Sequence, residues 1–209
     1  MYLPSHFEET RTEVLHALIR NHPLGLLIAQ HDAGPSADSV PFVIDAQPTP
    51  HGTLRAHVAR ANPLWRTADA KPVLVVFQGP QAYVSPSAYP GKAEHGKVVP
   101  TWNYVMVQAR GTLRAMDDAD WLHAFVTRLT ERHEATRAAP WAVSDAPPDY
   151  IEKMLGAIVG IEIEVTALAG KWKVSQNRST ADRQAVARLL AAEGEEAKAV
   201  AHQVMRPGQ

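Results

Sequence analysis

The six-residue stretch "IEIEVT" (161–166) alternates strictly between apolar and polar side chains. Successive side chains of a β-strand point to opposite faces, so its isoleucines and valine share one face and its glutamates and threonine the other. This pattern predicts a strand with one face in a hydrophobic core and the other in water. The exposed glutamates indicate a sheet that faces solvent on one side.

Five upstream segments also have strand character, and short links join most of them. They are "LGLLIAQ" (24–30), "SVPFVID" (39–45), "HGTLRAHVARAN" (51–62), "PVLVVFQG" (72–79) and "TWNYVMVQARGTLRAM" (101–116). Clustered strands joined by hairpins favour an antiparallel sheet or barrel over a doubly wound fold. We therefore predict an α+β fold with a mainly β core of about six antiparallel strands.

Helical patterns flank these strands. Ser5 and Glu8 have the spacing of a capping box, which predicts a helix that starts there and ends before Pro23. Amphipathic spacing predicts helices over 117–134 and 146–156 and two more after Ser179. The segment "DAGPSAD" (32–38) is rich in turn-forming residues and predicts a loop.

Composition excludes several classes of protein. The chain has no cysteine, which excludes disulfides and cysteine-ligated metals, and its formal net charge of −1 argues against a strongly electrostatic nucleic-acid binder. A local basic patch on a dimer remains compatible with DNA binding. No apolar run approaches the ~18 residues of a membrane span, and the N-terminus lacks a signal-peptide pattern. We expect a cytoplasmic protein without a membrane segment.

Polar side chains are concentrated in three clusters. They are "LRAHVARAN" (54–62), "AYVSPSAY" with "PTWNY" (82–89 and 100–104), and "KWKVSQNRS" (171–179). Arg and Lys supply charge-assisted bonds to anions such as phosphate, Ser, Thr, Asn and Gln supply neutral donors and acceptors, and Trp and Tyr supply flat faces. This inventory suits a phosphorylated planar molecule, of which flavin mononucleotide (FMN) is one.

Each cluster also has a purely structural interpretation. Asn62 fits the N-cap of a short helix, and Arg55 and His57 fit the solvated face of a strand. The segment 171–179 fits an exposed loop that leads into a capped helix, and Trp102 fits a core position. The pattern alone leaves both interpretations open.

Motifs of other chemistries are absent from the sequence. It contains no G-x-S-x-G, no G-x-G-x-x-G and no G-x-x-x-x-G-K-[ST], and its ten histidines have no metal-site spacing. We therefore assign no metal site and no catalytic residue.

Five segments taken together resemble the PaiB-type family of FMN-binding negative transcriptional regulators. In chain order they are "MYLPSHFEE", "HVARANPLW", "FQGPQAYVSPSAY", "VPTWNYVMVQARG" and "KVSQNRSTADR". The resemblance implies the split β-barrel of pyridoxamine phosphate oxidase and the flavin reductases, a homodimer, and FMN in a groove between the subunits. It also implies a barrel domain over 1–178 and a helical extension over 179–209 that packs on the barrel or on the dimer partner.

The resemblance further implies cofactor-binding residues within the matched motifs. Those expected beside the flavin phosphate and ring edge are Arg55, His57, Arg60 and Asn62. Those expected near the cofactor or facing its isoalloxazine ring are Tyr83, Ser85, Thr101, Trp102, Asn103 and Tyr104. Those expected to reach the groove from the same or the partner subunit are Lys173, Gln176, Asn177 and Arg178. On this basis, replacing Asn103 with Leu is expected to keep the fold and weaken flavin binding.

Three functions follow from the resemblance and the fold. The first is an FMN-binding negative transcriptional regulator with DNA as a partner. The second is an FMN-dependent oxidoreductase or flavin reductase, because the same fold supports such chemistry, although fold does not imply activity. The third is a haem-binding split barrel with His57 or His202 as an axial ligand. The sequence leaves open whether the protein is an enzyme.

Overall fold

The computed structural model describes residues 1–47 and 49–206 and contains eight strands and seven α-helices within them. The strands are β1 (Glu8–Glu9), β2 (Leu24–His31), β3 (Gly34–Pro41), β4 (Val43–Asp45), β5 (Thr53–Ala59), β6 (Pro72–Val84), β7 (Thr101–Met116) and β8 (Ile158–Lys173). The helices are α1 (Thr12–Asn21), α2 (Leu64–Thr67), α3 (Gly91–Glu94), α4 (Ala119–Glu134), α5 (Pro148–Gly156), α6 (Thr180–Ala191) and α7 (Glu195–Val204). Short 3₁₀ turns cover Ser5–Phe7, Pro86–Ala88 and Val143–Asp145.

Backbone hydrogen bonds link the strands in the order β3-β2-β6-β7-β8-β5-β4, and β1 pairs with β8. Every strand pair with a described register is antiparallel. The alternation predicted for β8 is confirmed, since Ile161, Ile163 and Val165 are buried while Glu164 and Thr166 are exposed.

The described residues contain eight strands, whereas the sequence predicted about six. The predicted strand over 39–45 is interrupted at Phe42, which separates β3 from β4. The two-residue strand β1 adds the other, with Glu8 opposite Lys171 and Glu9 opposite Gly170. The loop predicted over 32–38 is also wrong, because β3 begins at Gly34 and forms a hairpin with β2.

The capping box predicted at the N-terminus does not form. Ser5 opens a three-residue 3₁₀ turn whose N-cap position is Pro4, and Glu8 is in a strand. The helix α1 begins only at Thr12 and ends at Asn21, as the position of Pro23 predicts. Backbone pairing with β8 therefore prevails over the local helix-start signal.

Contacts between residues divide the chain into two compact units. The first unit comprises Met1–Leu18, Gln78–Val107 and the chain from residue 169 to the end of the described part; the second comprises Ile19–Phe77 and Gln108–Leu168. Both units are discontinuous in sequence. The boundary predicted at residue 178 stays a prediction.

In the first unit, the C-terminal part of β8 carries β1 on one edge, and α6 packs against α7. Ser179 caps α6, since its Oγ accepts a hydrogen bond from the Asp182 backbone N–H at 3.1 Å. Trp172 is buried, and its indole N–H donates to Gln203 Oε1 of α7 at 3.2 Å. This bond ties the end of the strand to the last helix.

In the second unit, β5 pairs with the N-terminal part of β8, and α4 packs against α5. Asp118 caps α4, because its Oδ1 accepts a hydrogen bond from the Trp121 backbone N–H at 2.7 Å. Apolar side chains fill the interior, among them Phe42 and Phe77, whose rings meet edge to face at 5.8 Å.

No helix within the described ranges is long and apolar enough to cross a membrane.

Candidate functional site

Three cations gather at the end of β8 in the first unit, and we call Lys171, Lys173 and Arg178 the cation cluster. Lys171 and Lys173 are two residues apart on the strand, so both side chains lie on the same face of the sheet. The two amines flank one aromatic ring, with Nζ 5.5 and 6.0 Å from the centre of Tyr104. Arg178 lies 5.3 Å above the ring of Tyr89.

No carboxylate of the described residues forms an ion pair with the cation cluster. None of the ion pairs among the described residues includes any of its three members. Burial lowers the pKa of Lys173, and the charges of Lys171 and Arg178 lower it further. The three positive charges of the cluster repel one another and so destabilise the folded protein. A bound anion would offset this repulsion.

Lys173 retains hydrogen-bonding capacity for such an anion. Its Nζ donates to Thr101 Oγ1 at 2.5 Å and to the Trp102 carbonyl oxygen. An ammonium group has three N–H donors, so one remains. Lys171 is more enclosed, with its Nζ donating to the Tyr2 carbonyl oxygen at 3.0 Å.

Two half-exposed aromatic rings lie on strands of the same unit. Trp102 is 53% exposed and Tyr83 is 47% exposed, and their rings meet edge to face at 6.0 Å. Trp102 is therefore not in the core, and the structural interpretation of this residue was wrong. An exposed indole beside a tyrosine offers an apolar wall to a flat molecule.

Asn103 has the opposite environment and is 1% exposed. Its Nδ2 donates to Ser175 Oγ at 2.9 Å. Ser175 has φ +64°, an unfavourable backbone region for a residue other than glycine, and its side chain is buried in this pair with Asn103. Replacing Asn103 with Leu would leave Ser175 without its buried partner, so the expectation that this variant keeps the fold intact is not supported.

Two of the other predicted residues shape turns. Gln176 accepts from the Val174 backbone N–H at 2.8 Å and donates to the Trp172 carbonyl oxygen. Ser85 Oγ caps the turn Pro86–Ala88 by accepting from the Ser87 backbone N–H at 3.2 Å. Asn177 is exposed and makes no side-chain hydrogen bond with any described residue, so its amide is available to a ligand.

The remaining predicted residues lie in the second unit, where two arginines already have carboxylate partners. Arg55 bonds to Asp45 and donates from Nε to Glu162 Oε2 at 2.7 Å. Arg60 forms a bidentate pair with Asp117, with N···O distances of 2.6 and 2.9 Å. Hydrogen bonds from Arg60 lower the pKa of Asp117.

Asn62 and His57 complete the second-unit set. Asn62 Oδ1 accepts from the Leu64 backbone N–H at 2.9 Å, and its Nδ2 donates to Asp38 Oδ1 at 3.1 Å. The structure places Pro63 at the N-cap of α2, so Asn62 lies one residue before the predicted cap position. Its Oδ1 nevertheless satisfies a free backbone N–H of the first turn, that of Leu64. His57 lies edge-on to Phe125 at 6.0 Å, and its buried Nδ1 has no hydrogen-bond partner within the described residues.

Burial lowers the pKa of His57 below its usual value of about 6.5. Between about pH 6.5 and this lower folded-state pKa, the unfolded chain binds a proton at His57 that the folded chain does not. We expect the contribution of His57 to make the protein less stable as the pH falls through this window. His57→Leu should weaken that pH dependence, measured as urea-unfolding free energies from pH 7.5 to 5. An unchanged slope would show that His57 does not cause it.

Two members of the cation cluster, Lys173 and Arg178, were predicted from the sequence, whereas Lys171 and Tyr89 were not predicted to bind a cofactor. Lys171 is within the third polar cluster. Its spacing of two residues from Lys173 along a strand is the sequence signal that both side chains lie on one face. Tyr89 is 4% exposed and follows the turn Pro86–Ala88. Its contact with Arg178 joins chain segments that are remote in sequence.

A family model with the description "Putative FMN-binding domain" matches residues 1–167. A protein of Bacillus subtilis (strain 168) named Protease synthase and sporulation protein PAI 2 is 33% identical, and the alignment covers 87% of this chain and 85% of that protein. An uncharacterised protein of Emericella nidulans is 36% identical over 89% of this chain and 88% of its own length.

Solved structures share the fold at low sequence identity. The FAD and heme binding protein from Mycobacterium smegmatis has a TM-score of 0.60 at 18% identity, covering 79% of this chain and 73% of that one. The flavocytochrome Anf3 from Azotobacter vinelandii has a TM-score of 0.59 at 11% identity, covering 79% and 69%. These likenesses show the fold alone, which is the α+β split-barrel class predicted from the sequence.

Proposed function

Because this chain belongs to the FMN-binding domain family whose model it matches, we propose that it is a flavoprotein that acts as a negative transcriptional regulator and holds FMN with residues of its first unit. The cofactor assignment rests on the cation cluster, which has no ion-paired carboxylate in the described part of the chain and lies in the same unit as two half-exposed aromatic rings.

The phosphate of FMN fits the cation cluster. A phosphate accepts charge-assisted hydrogen bonds and prefers sites where positive charge is not already paired. Lys173 has a spare N–H donor, and Arg178 is exposed and forms no ion pair with a described residue. Arg55 and Arg60 are weaker candidates, because carboxylates already neutralise both.

The flavin ring fits the aromatic wall. Trp102 and Tyr83 supply apolar surface, and Asn177 supplies an amide that can pair with the ring's polar edge. When bound, FMN supplies a redox-active ring that accepts electrons or a hydride. The protein's own contribution is to bind the phosphate, orient the ring and exclude water from one of its faces.

We also propose a homodimer in the cytoplasm. The expectation comes from the split-barrel resemblance, in which the cofactor groove lies between two subunits. The half-exposed Trp102 and Tyr83 support it, since exposed aromatic groups are enriched at protein interfaces.

The regulatory role is supported by resemblance and by the name of one relative. The Bacillus subtilis protein is named for protease synthesis and sporulation. For this chain, a role in transcription requires binding to specific DNA in addition to flavin. An FMN-dependent oxidoreductase is the second candidate, since an exposed flavin face would be accessible to a reductant.

The visible absorption spectrum of the purified protein, before and after FMN addition and desalting, tests the cofactor. We expect retained flavin bands with about one FMN per chain. Loss of all flavin on desalting at micromolar protein would contradict FMN binding. A Soret band would instead support the haem-binding alternative through His57 or His202.

Selection of DNA fragments from the source genome, followed by sequencing, tests the regulatory role. We expect the flavin-loaded protein to enrich the same few fragments at moderate salt, where purely electrostatic binding is weakened. The Lys173→Met variant without flavin shows whether enrichment depends on the cofactor. If the protein steadily oxidised NAD(P)H and enriched no DNA fragment, the regulatory function would be contradicted and the oxidoreductase function would be supported.

A further inference from the structure

The chain leaves β8 through residues 174–178, which we call the 174–178 turn. The turn follows Lys173 directly and ends at Arg178, so it separates two members of the cation cluster. The backbone N–H of Arg178 closes it by donating to the Ser175 carbonyl oxygen at 3.0 Å. The direction in which Arg178 projects therefore depends on the backbone conformation at Ser175.

That conformation is unfavourable for a serine. Ser175 has φ +64°, where a Cβ crowds the neighbouring carbonyl oxygen, whereas glycine adopts such an angle freely. A strained backbone persists only where other contacts compensate for it, and residues of this kind are concentrated at functional sites. The strain at Ser175 indicates that a specific contact keeps the turn in this shape.

The side chain of Asn103 supplies a contact of this kind. Its Nδ2 donates to Ser175 Oγ at 2.9 Å, and the same hydroxyl lies 3.3 Å from Asn103 Oδ1. Both residues are buried, with exposures of 1% and 5%. A change in the turn that moved the hydroxyl away would leave two buried polar groups unpaired, which costs free energy.

The stretch of β7 that contains Asn103 also fixes Lys173. The amine of Lys173 donates to Thr101 Oγ1 and to the Trp102 carbonyl oxygen. Asn103 is the next residue of the strand and contacts Ser175. Three consecutive residues of β7 thus hold two points of the segment that carries the cation cluster, and this sets the position of the turn relative to Lys173.

We propose that Asn103 and Ser175 are a positioning pair, whose hydrogen bond keeps Ser175 in the left-handed region so that the turn presents Arg178 to the phosphate of the ligand. The inference rests on the proposed function, in which Arg178 belongs to the cluster that binds the FMN phosphate. Neither member of the pair contacts the ligand. Asn103, predicted from the sequence to face the flavin ring, acts on the ligand through Ser175 and Arg178.

Two substitutions of Ser175 separate its backbone conformation from its hydroxyl. Ser175→Ala and Ser175→Gly both remove Oγ and leave Asn103 without this partner, but only glycine adopts φ +64° without a steric cost. We expect Ser175→Ala to weaken FMN binding about tenfold and Ser175→Gly no more than about threefold, measured by quenching of flavin fluorescence. Equal losses in the two folded variants would overturn the proposal, because the hydroxyl alone would then matter.

Riboflavin supplies a measurement that a general loss of structure would not reproduce. It lacks the phosphate, so Ser175→Ala should weaken its binding no more than about threefold, through the amide of Asn177 on the same turn. An equal loss for FMN and riboflavin would contradict the positioning of Arg178. A wild-type protein that binds neither flavin would contradict the proposed function, and this inference with it.

A double variant tests whether Ser175 acts through Arg178. In the Arg178→Met protein there is no guanidinium to position, so adding Ser175→Ala should not weaken FMN binding further. If Ser175→Ala caused the same fold-loss in the wild-type and Arg178→Met backgrounds, the two residues would act independently and the positioning pair would be wrong.

A second pair of variants tests the same contact from Asn103, for the case in which Ser175→Ala does not fold. Asn103→Ala removes the hydrogen bond but keeps the strained serine. In this background Ser175→Gly relieves the strain, so both the melting temperature and the FMN affinity should rise above those of Asn103→Ala alone. An FMN affinity that stayed the same or fell would overturn the proposal.

Discussion

Lys173→Met is expected to weaken FMN binding about 10- to 100-fold and to leave the affinity for riboflavin nearly unchanged. The two flavins share the isoalloxazine ring, but only FMN carries the phosphate that we assign to the cation cluster. The quenching of flavin fluorescence on titration with protein measures both affinities. The variant thus isolates the phosphate contact from the packing of the ring.

The variant should remain folded, for two reasons. Methionine keeps the unbranched apolar stem of Lys173, and its neutral end removes the repulsion that the other two cations exert on this amine. The lost hydrogen bonds to Thr101 and to the Trp102 carbonyl oxygen oppose this gain. The melting temperatures of the flavin-free wild-type and Lys173→Met proteins show which of these two effects is larger.

Lys153→Met is the matched control, because Lys153 is exposed and lies outside the cation cluster. It makes the same change of net charge and should alter neither flavin affinity. If Lys173→Met weakened FMN and riboflavin equally, Lys173 would act by shaping the ring site, and the phosphate assignment would be contradicted.

The elements that depend on local periodicity were predictable from the sequence. The alternation of apolar and polar residues defines the two faces of β8, and the spacing of apolar residues gives α4 within two residues. Pairings between distant segments were not predictable. The two residues of β1 are a strand only because β8 lies beside them, and no local signal outweighs the capping-box spacing of Ser5 and Glu8.

The same distinction applies to the candidate site. The polar residues of 171–179 were visible in the sequence as a donor-rich cluster. That Trp102 is exposed while Asn103 is buried depends on which face of β7 meets other elements, and a one-residue shift of register would reverse it. Arg55 is neutralised by Asp45 of the neighbouring strand β4 and by Glu162 of β8, and Arg60 is neutralised by the remote Asp117. These contacts depend on how the segments pack together, so the sequence could not show that both arginines are already paired.

Gly111→Ala is expected to lower the free energy of unfolding by about 3 kcal/mol, because the new methyl group would overlap the neighbouring strand. A Cβ at this position of β7 would stand 2.1 Å from the Glu164 carbonyl oxygen and 2.7 Å from Ile163 Cγ2 of β8. The obstacle is backbone, so no side-chain rotation removes it. For a chain of this length the change corresponds to a melting temperature roughly 6–12 °C lower.

Gly156→Ala is the control for this prediction. An added Cβ there has no atom within 4 Å, and the position is the last residue of α5. Alanine favours helix over glycine by up to ~1 kcal/mol, so the melting temperature should stay the same or rise slightly. Equal melting temperatures for the two variants would show that β7 and β8 move apart at little cost.

Gly111→Val distinguishes close strand approach from backbone freedom as the reason for this glycine. The backbone of Gly111 is not in the left-handed region, so any residue can adopt its conformation. Valine has a higher strand propensity than alanine and would be the more stable variant if the site were open. Because its two methyl groups would enlarge the overlap with β8, we expect valine to be less stable than alanine. The reverse order in urea unfolding would contradict the close approach.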